Sequence, residues 1–262
     1  MTLHRTRSVL AVALLVALAC GEGPANARAL KDIRTRGAIA LCAAPNALPS
    51  ASRKGSPRGI DIDLAQAIAD RLGVALRVEW VTLAYQYRAV DCDIVMGVMQ
   101  AAGVTEEIPL RRSIPYQRAG VFMGLGAAPS QVTAFSQLPK DARIGVQVGS
   151  LAQTLLGQRG MKTIPFAFED EIVAALADGQ IDAAAATAMS IGWHNRQHPD
   201  RPVRLIEPSD AGGELSWELT IGLRRADDPL IREIDASLLA LLQDGSVARI
   251  YAAYGIAHRP PR

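Results

Sequence analysis

Several residue sets in this chain have types and spacings that could do chemistry. His194 and His198 stand four apart in "WHNRQH". On a helix their rings share one face and could hold a transition metal, with Asp200 adding an oxygen. No third strong ligand is spaced with them and the segment is polar, so an exposed helix end is preferred and no metal or other cofactor is expected. Glu106-Glu107 and Asp61-Asp63 are paired acids, which serve acid–base chemistry when burial drives their pKa values apart. Asp61 and Asp63 are better explained as helix caps, which leaves Glu106 as the acid to watch. Gly149-Ser150 opens a helix whose free N–H groups attract anions or carbonyl oxygens, and Ser150 is also a natural cap. Arg111-Arg112 reads as a solvated surface pair.

The elements around these residues alternate. Strand-like apolar runs are expected at Ala38–Cys42, Val74–Val81, Cys92–Val98, Ala119–Leu125, Arg143–Val148, Thr163–Ala167, Ile181–Thr187 and Leu215–Leu223. Between them lie helical patterns. One carries Leu64, Ile68 and Leu72 at spacing four, with Gly73 as its stop. Another is capped by Asp170, and a third by Asp227 with Pro229 in its first turn. Strands alternating with helices predict mostly parallel sheets covered on both faces. The halves echo each other: Asp91-Cys92-Asp93-Ile94 enters one strand and Gly179-Gln180-Ile181-Asp182 another. The Pro- and Arg-rich tail after Gly255 is expected to fray.

The N-terminus adds a compartment. His4, Arg5 and Arg7 precede an apolar run from Val9 to Ala19, and Ala25-Asn26-Ala27 is a small-x-small site. This describes a secretory signal peptide over residues 1–27, cleaved after Ala27. The run falls short of the about 20 apolar residues needed to span a bilayer. A lipoprotein signal ending at Cys20 is the less favoured alternative. In an oxidising compartment the remaining Cys42 and Cys92 are candidates for one disulfide, with two buried thiols as the alternative; both sit at the edges of strand-like runs, which favours the bridge. The full sequence has 262 residues and a net charge of +2, and the chain left after removal of residues 1–27 can still bury a large core. Scattered basic residues and an aromatic content of 5% speak against nucleic-acid binding.

Three segments resemble family 3 solute-binding proteins: "GIDIDLAQAIADRLG" (Gly59 to Gly73), "SIPYQRAGVFMG" (Ser113 to Gly124) and "RIGVQVGS" (Arg143 to Ser150). The resemblance implies an α/β fold of the type II periplasmic-binding-protein kind. Each of its two lobes is a mostly parallel sheet flanked by helices, and two crossover strands join them. Lobe one is expected at residues 28–122 and 218–262, lobe two at 126–212, and the hinge at 123–125 and 213–217. Trp193 and Trp217 then read as packing or hinge-side residues. "LCAAPNALPSASRKG", "DCDIVMGV", "AAATAMSIGWH", "WELTIGLRRADDPLIREID" and "IYAAYGI" are similar to segments of the J-type accessory proteins of periplasmic quinoprotein methanol dehydrogenases. That branch of the same superfamily carries cysteines where Cys42 and Cys92 stand.

The resemblance implies a ligand cleft between the lobes, lined by Asn46, Tyr85, Gly97, Val98, Met99, Glu106, Tyr116, Gly149, Ser150 and Thr187. Amino-acid binders of the family grip a zwitterion with an arginine and a second-lobe carboxylate. In this chain Ile108 stands where the arginine belongs, within "VTEEIPLRR", and Thr187 stands where the carboxylate belongs. The expectation is therefore a monomeric, non-catalytic periplasmic protein of the ABC-transporter substrate-binding type. Its ligand is a small molecule other than a free α-amino acid, and its partner an ABC permease. The alternative is an accessory protein of a periplasmic quinoprotein dehydrogenase with a degenerate cleft.

Overall fold

The computed structural model describes residues 29–82, 86, 89–100, 110–128, 130–210 and 215–262. The expected signal peptide and Cys20 lie outside them, as do Tyr85, Glu106, Glu107 and Ile108. No helix among the described residues is long and apolar enough to cross a membrane.

The chain begins with α1 (Leu30–Arg36), β1 (Ala38–Ala43) and a small ribbon of β2 (Asn46–Ala47) with β3 (Ala51–Ser52). There follow α2 (Ile60–Leu72), β4 (Ala75–Trp80), β5 (Ile94–Gln100), β6 (Leu110–Arg112) and β7 (Gln117–Leu125). The middle contributes β8 (Ile144–Gln147), α3 (Leu151–Gln158), β9 (Thr163–Phe166), α4 (Glu169–Ala177), β10 (Ala183–Thr187), α5 (Ala188–Gln197) and β11 (Arg204–Ile206). The chain closes with β12 (Ser216–Arg224), α6 (Asp228–Gln243) and α7 (Ser246–Ala252). Every apolar run read as a strand is one, with ends moved by a residue or two.

Two sheets repeat one plan. In the first, β1 lies parallel between β4 and β5, and β12 runs antiparallel to β5. In the second, β8 lies parallel between β9 and β10, and β7 runs antiparallel to β10. Their strand orders, β4-β1-β5-β12 and β9-β8-β10-β7, are equivalent. The first core packs α2, α6 and α7 on its sheet through Leu64, Ile68, Leu230, Ile234, Leu238 and Tyr251. The second sheet is covered on both faces, by Ile172, Leu176 and Ile191 on one and by Phe135, Ala152 and Leu156 on the other. This is the two-lobed α/β architecture expected. β7 and β12 join the sheets: β7 pairs with β12 through Gln117–Gly120 and with β10 through Val121–Gly124.

The echoed aspartates have one function. Asp93 is fully buried; its backbone N–H donates to Ala40 O (2.8 Å), and its carboxylate accepts from Ala40 N (2.7 Å) and Arg36 Nη2 (2.6 Å). Asp182 repeats this at the second sheet: its N–H donates to Arg143 O (2.9 Å) and its carboxylate accepts from Arg143 N (2.7 Å), Nε (3.1 Å) and Nη2 (3.0 Å). Each clamps the third strand of its sheet to the first.

Caps divide into those set by one residue and those set by tertiary contact. Ser150 Oγ accepts from Gln153 N and Asp227 Oδ1 from Leu230 N, as expected. Asp61 and Asp63 do not cap α2: its N-cap is Gly59, at φ 114 and without a side-chain cap. A Cβ there would lie 2.3 Å from Ser50 O, so only glycine allows the backbones to meet. Asp170 does not cap α4, whose N-cap is Phe168. Glu171 Oε2 instead accepts from Ala167 N and Phe168 N. Nor is the tail loose. His258 Nε2 meets Tyr116 O (2.8 Å), Arg259 N donates to Gln117 Oε1 (3.0 Å) and Arg259 O accepts from Arg118 N (2.8 Å). The Arg259 guanidinium lies 4.6 Å from the centre of the Phe122 ring. These bonds pin the tail along β7.

Cys42 and Cys92 form a disulfide across a sequence separation of 50. The bridge sits among Ala40, Val81 and Val90 on the face of the sheet away from the main core. A closed loop of this length stabilises by about 3–4 kcal/mol, so reduction should lower Tm by roughly 10 °C. An unchanged Tm would show that the bridge does not constrain the unfolded chain. Asp93→Ala leaves Arg36 and the Ala40 N–H without their acceptor in a buried site. It should cost about 3 kcal/mol in urea unfolding, well above the cost of Asp182→Ala, whose side chain is 46% exposed. Equal costs would contradict this account of the clamps.

Candidate functional site

A pocket of about 200 Å³ lies where β7 and β12 pass between the two cores. Asp61, Gly97, Tyr116 and Tyr251 line it from the first core, and Thr187, Ala188 and Met189 from the second. The crossing strands contribute their own segments, including Arg118, Ala119 and Trp217.

Asp61 reaches the pocket because Gly59 lets the start of α2 press against Ser50, and Asp61 N donates to Ser50 O (2.9 Å). Its carboxylate, half-buried, has no hydrogen bond or ion pair among the described residues. It keeps a little solvent contact through the pocket, yet the apolar mass around it pushes its pKa up to about 7. Its neighbour Asp63 differs, since it accepts from Tyr254 Oη (2.6 Å) and Arg58 Nη2 (3.2 Å). Tyr116 is buried and its hydroxyl accepts from Gly97 N (2.9 Å). Burial first, and then the Asp61 charge, raise its phenol pKa. Tyr251 is raised by burial, then by Tyr116 and Asp61. The three groups feel one another electrostatically.

Thr187 ends β10 and caps α5, accepting from Ser190 N (3.3 Å). Its hydroxyl donates to Glu169 Oε2 (2.6 Å), and its backbone N–H donates to the same oxygen (3.1 Å). Ser190 Oγ donates to it as well (2.5 Å). A carboxylate absent from position 187 thus arrives from the first residue of α4. Arg118 is the basic residue bordering the pocket. With Arg259 and Arg262 it contributes to the positive field that helps to hold Glu207 below the usual carboxylate range, after the direct Arg259 hydrogen bond.

Of the residues expected at a cleft, Gly97, Tyr116 and Thr187 come together at this pocket. Val98 and Met99 follow Gly97 along β5, Asn46 is exposed on the β2–β3 ribbon, and Gly149 and Ser150 sit at the start of α3; none of these lines the pocket. Asp61 and Trp217 line the pocket and Glu169 stands behind Thr187, although none of the three is among the cleft residues expected; Trp217, read as packing or hinge-side, lies on the crossing strand β12. Asp61 carried a signal in its helix-opening motif, whereas Glu169 and Trp217 reach the site only through the tertiary fold. Arg111 and Arg112 lie on β6, with Arg111 bonded to Asp228 (2.7 Å) and Ala226 O (3.0 Å). His194 is not at an exposed helix end. It is buried against Arg201 O (3.2 Å), and burial lowers its pKa. No group of three or more possible metal ligands is present among the described residues.

Residues 39–257 match the family described as bacterial extracellular solute-binding proteins, family 3. The chain belongs to that family. The membrane-bound lytic murein transglycosylase F of Desulfosudis oleivorans is 26% identical over 267 residues, covering 95% of this chain and 56% of that protein. The chain spans about half the length of the curated relatives it matches. Among solved structures, an ancestral cationic amino acid solute-binding protein superposes with TM-score 0.71 at 21% identity, covering 86% of this chain and 99% of that one. The periplasmic binding protein XoxJ from Methylobacterium extorquens AM1 superposes with TM-score 0.68 at 20% identity, covering 85% and 100%. These likenesses carry the fold; the J-type branch and the amino-acid binders are both among the structural neighbours.

Asp61 leaves a pH signature. An aspartate in the unfolded chain titrates near 3.9, and Asp61 in the folded chain near 7. Between those values the folded protein holds a proton that the unfolded chain has shed. Stability from this group is therefore full at low pH and falls as pH rises from about 4 to about 7, by up to about 4 kcal/mol. Urea midpoints at pH 5 and pH 8 should show the fall, and Asp61→Asn should remove most of that difference. An unchanged difference in the variant would place the pH dependence elsewhere.

Proposed function

We propose that this protein is a periplasmic receptor that binds a small solute in the cleft between its lobes, delivers it to an ABC permease and performs no chemistry on it. The observation that carries the reading is the pocket itself. Both cores and both crossing strands line it, so a bound molecule would bridge the lobes and hold them closed. In this reading closure turns on β7 and β12, with β7 passing from one sheet to the other between Gly120 and Val121, ahead of the expected hinge at 123–125. A pocket of about 200 Å³ is below the usual range of about 300–1,000 Å³ for ligand sites, which favours a solute of few atoms.

A free α-amino acid is a poor fit. Ile108 replaces the carboxylate-gripping arginine of the family pattern, and the nearby Arg111 is engaged with Asp228. The accessory reading has its own support in the Cys42–Cys92 bridge, which joins the two cysteines that the resemblance matches to the J-type branch, and in the likeness to XoxJ. In that reading the protein docks on a quinoprotein dehydrogenase.

Thermal shift of residues 28–262 against amines, organic acids, alcohols, amino acids and metal ions separates the two. A solute at a hundred times its Kd adds about 2.7 kcal/mol and raises Tm by several degrees. A shift confined to one compound class is the result expected. No shift with any compound, together with co-purification of a dehydrogenase from the native periplasm, would replace the receptor reading with the accessory one.

A further inference from the structure

Each lobe brings a carboxylate to the pocket. Asp61 enters from the first, and Glu169 stands behind the Thr187 hydroxyl on the second. Glu169 Oε2 already accepts from Thr187 and Ser190, so its charge is fixed in place. The Asp61 carboxylate has no such partner. An unpaired carboxylate in a partly dry site is costly unless a cation joins it. Three aromatic side chains, Tyr116, Trp217 and Tyr251, line the same pocket, and aromatic faces attract ammonium groups. Arg118 also borders the pocket from β7; its field reaches Glu207 only behind that of Arg259, and its Nε has no hydrogen-bond partner among the described residues.

We propose that the solute is a small organic cation without a carboxylate, a primary amine or an alkylated ammonium, with Asp61 as its counter-ion. Tyr116, Trp217 and Tyr251 surround its charged head, and the Glu169–Thr187 pair faces it from the second lobe. This inference rests on the cleft-binding reading above and names its ligand class. A carboxylate on the ligand would meet Asp61 and Glu169 from the two lobes, with Arg118 on β7 as its cationic neighbour among the described lining residues.

The test is calorimetric titration at pH 8 of residues 28–262 with propylamine, tetramethylammonium, propionate, propanol and alanine. At least one of the two cations should bind, and the other three should not. Asp61→Asn should weaken cation binding at least tenfold, and Glu169→Gln by a smaller factor, with circular dichroism confirming that both variants fold. Binding of propionate, propanol or alanine without binding of a cation overturns the cation class and leaves the receptor reading standing. Cation binding unchanged in Asp61→Asn overturns the assignment of the counter-ion. No binding here and no shift with the wider panel overturns both readings.

Discussion

Two strands in this protein must satisfy two sheets at once. β7 gives its first residues to β12 and the rest to β10, and β12 pairs with β7 through Ser216–Leu219 and with β5 through Glu218–Leu223. Every backbone donor and acceptor along them has to be paired as they leave one core and enter the other. The crossing is tight: a Cβ at Gly120 would lie 2.5 Å from Leu215 O. The tail adds a third layer, bonding to Tyr116, Gln117 and Arg118 and reaching Glu207 through Arg259. Because the crossing strands also wall the pocket, any motion of one lobe against the other is felt where a solute would sit. The strand ends and helix starts that face the crossing supply the polar groups, as in open α/β sheets generally.

Each lobe then closes its own sheet with the same device. A parallel sheet of order 2-1-3 brings the third strand beside the first without a hairpin to set the register. Asp93 and Asp182 set it by bonding to the backbone of the first strand from both their main chain and their carboxylate. The two differ in their cost. Asp93 is buried and takes Arg36 as counter-charge, whereas Asp182 and Arg143 are close to half exposed. The faint repeat in the sequence is the trace of this shared constraint.

What could be read from the sequence follows the range of the forces involved. Most strands were legible as continuous apolar runs, and β4 as an alternating one. The buried face of α2 was legible from Leu64, Ile68 and Leu72, and the caps at Ser150 and Asp227 from the residue alone. The start of α2 was misread because Ser50, distant in chain but touching Gly59, decides it. The tail was misread because composition suggested fraying, while its bonds are to strands more than a hundred residues earlier. Of the cleft residues that the family pattern implies, Gly97, Tyr116 and Thr187 meet at one pocket. Glu169 gave no signal in the sequence because it arrives behind Thr187 from another element.

Thr187 shows how such a site can change its charge without disturbing the fold. The position has to cap α5, and threonine and aspartate both do so. Threonine keeps the cap through its bond to Ser190 N and turns its hydroxyl toward Glu169. The negative charge is thereby moved one hydrogen bond back from the pocket wall rather than removed. On the opposite side Asp61 lies in the first turn of α2, where the helix dipole favours a carboxylate, and leaves its oxygens to the pocket. The helix ends that stabilise the two lobes thus also carry the acidic groups of the pocket, which face Arg118 on β7.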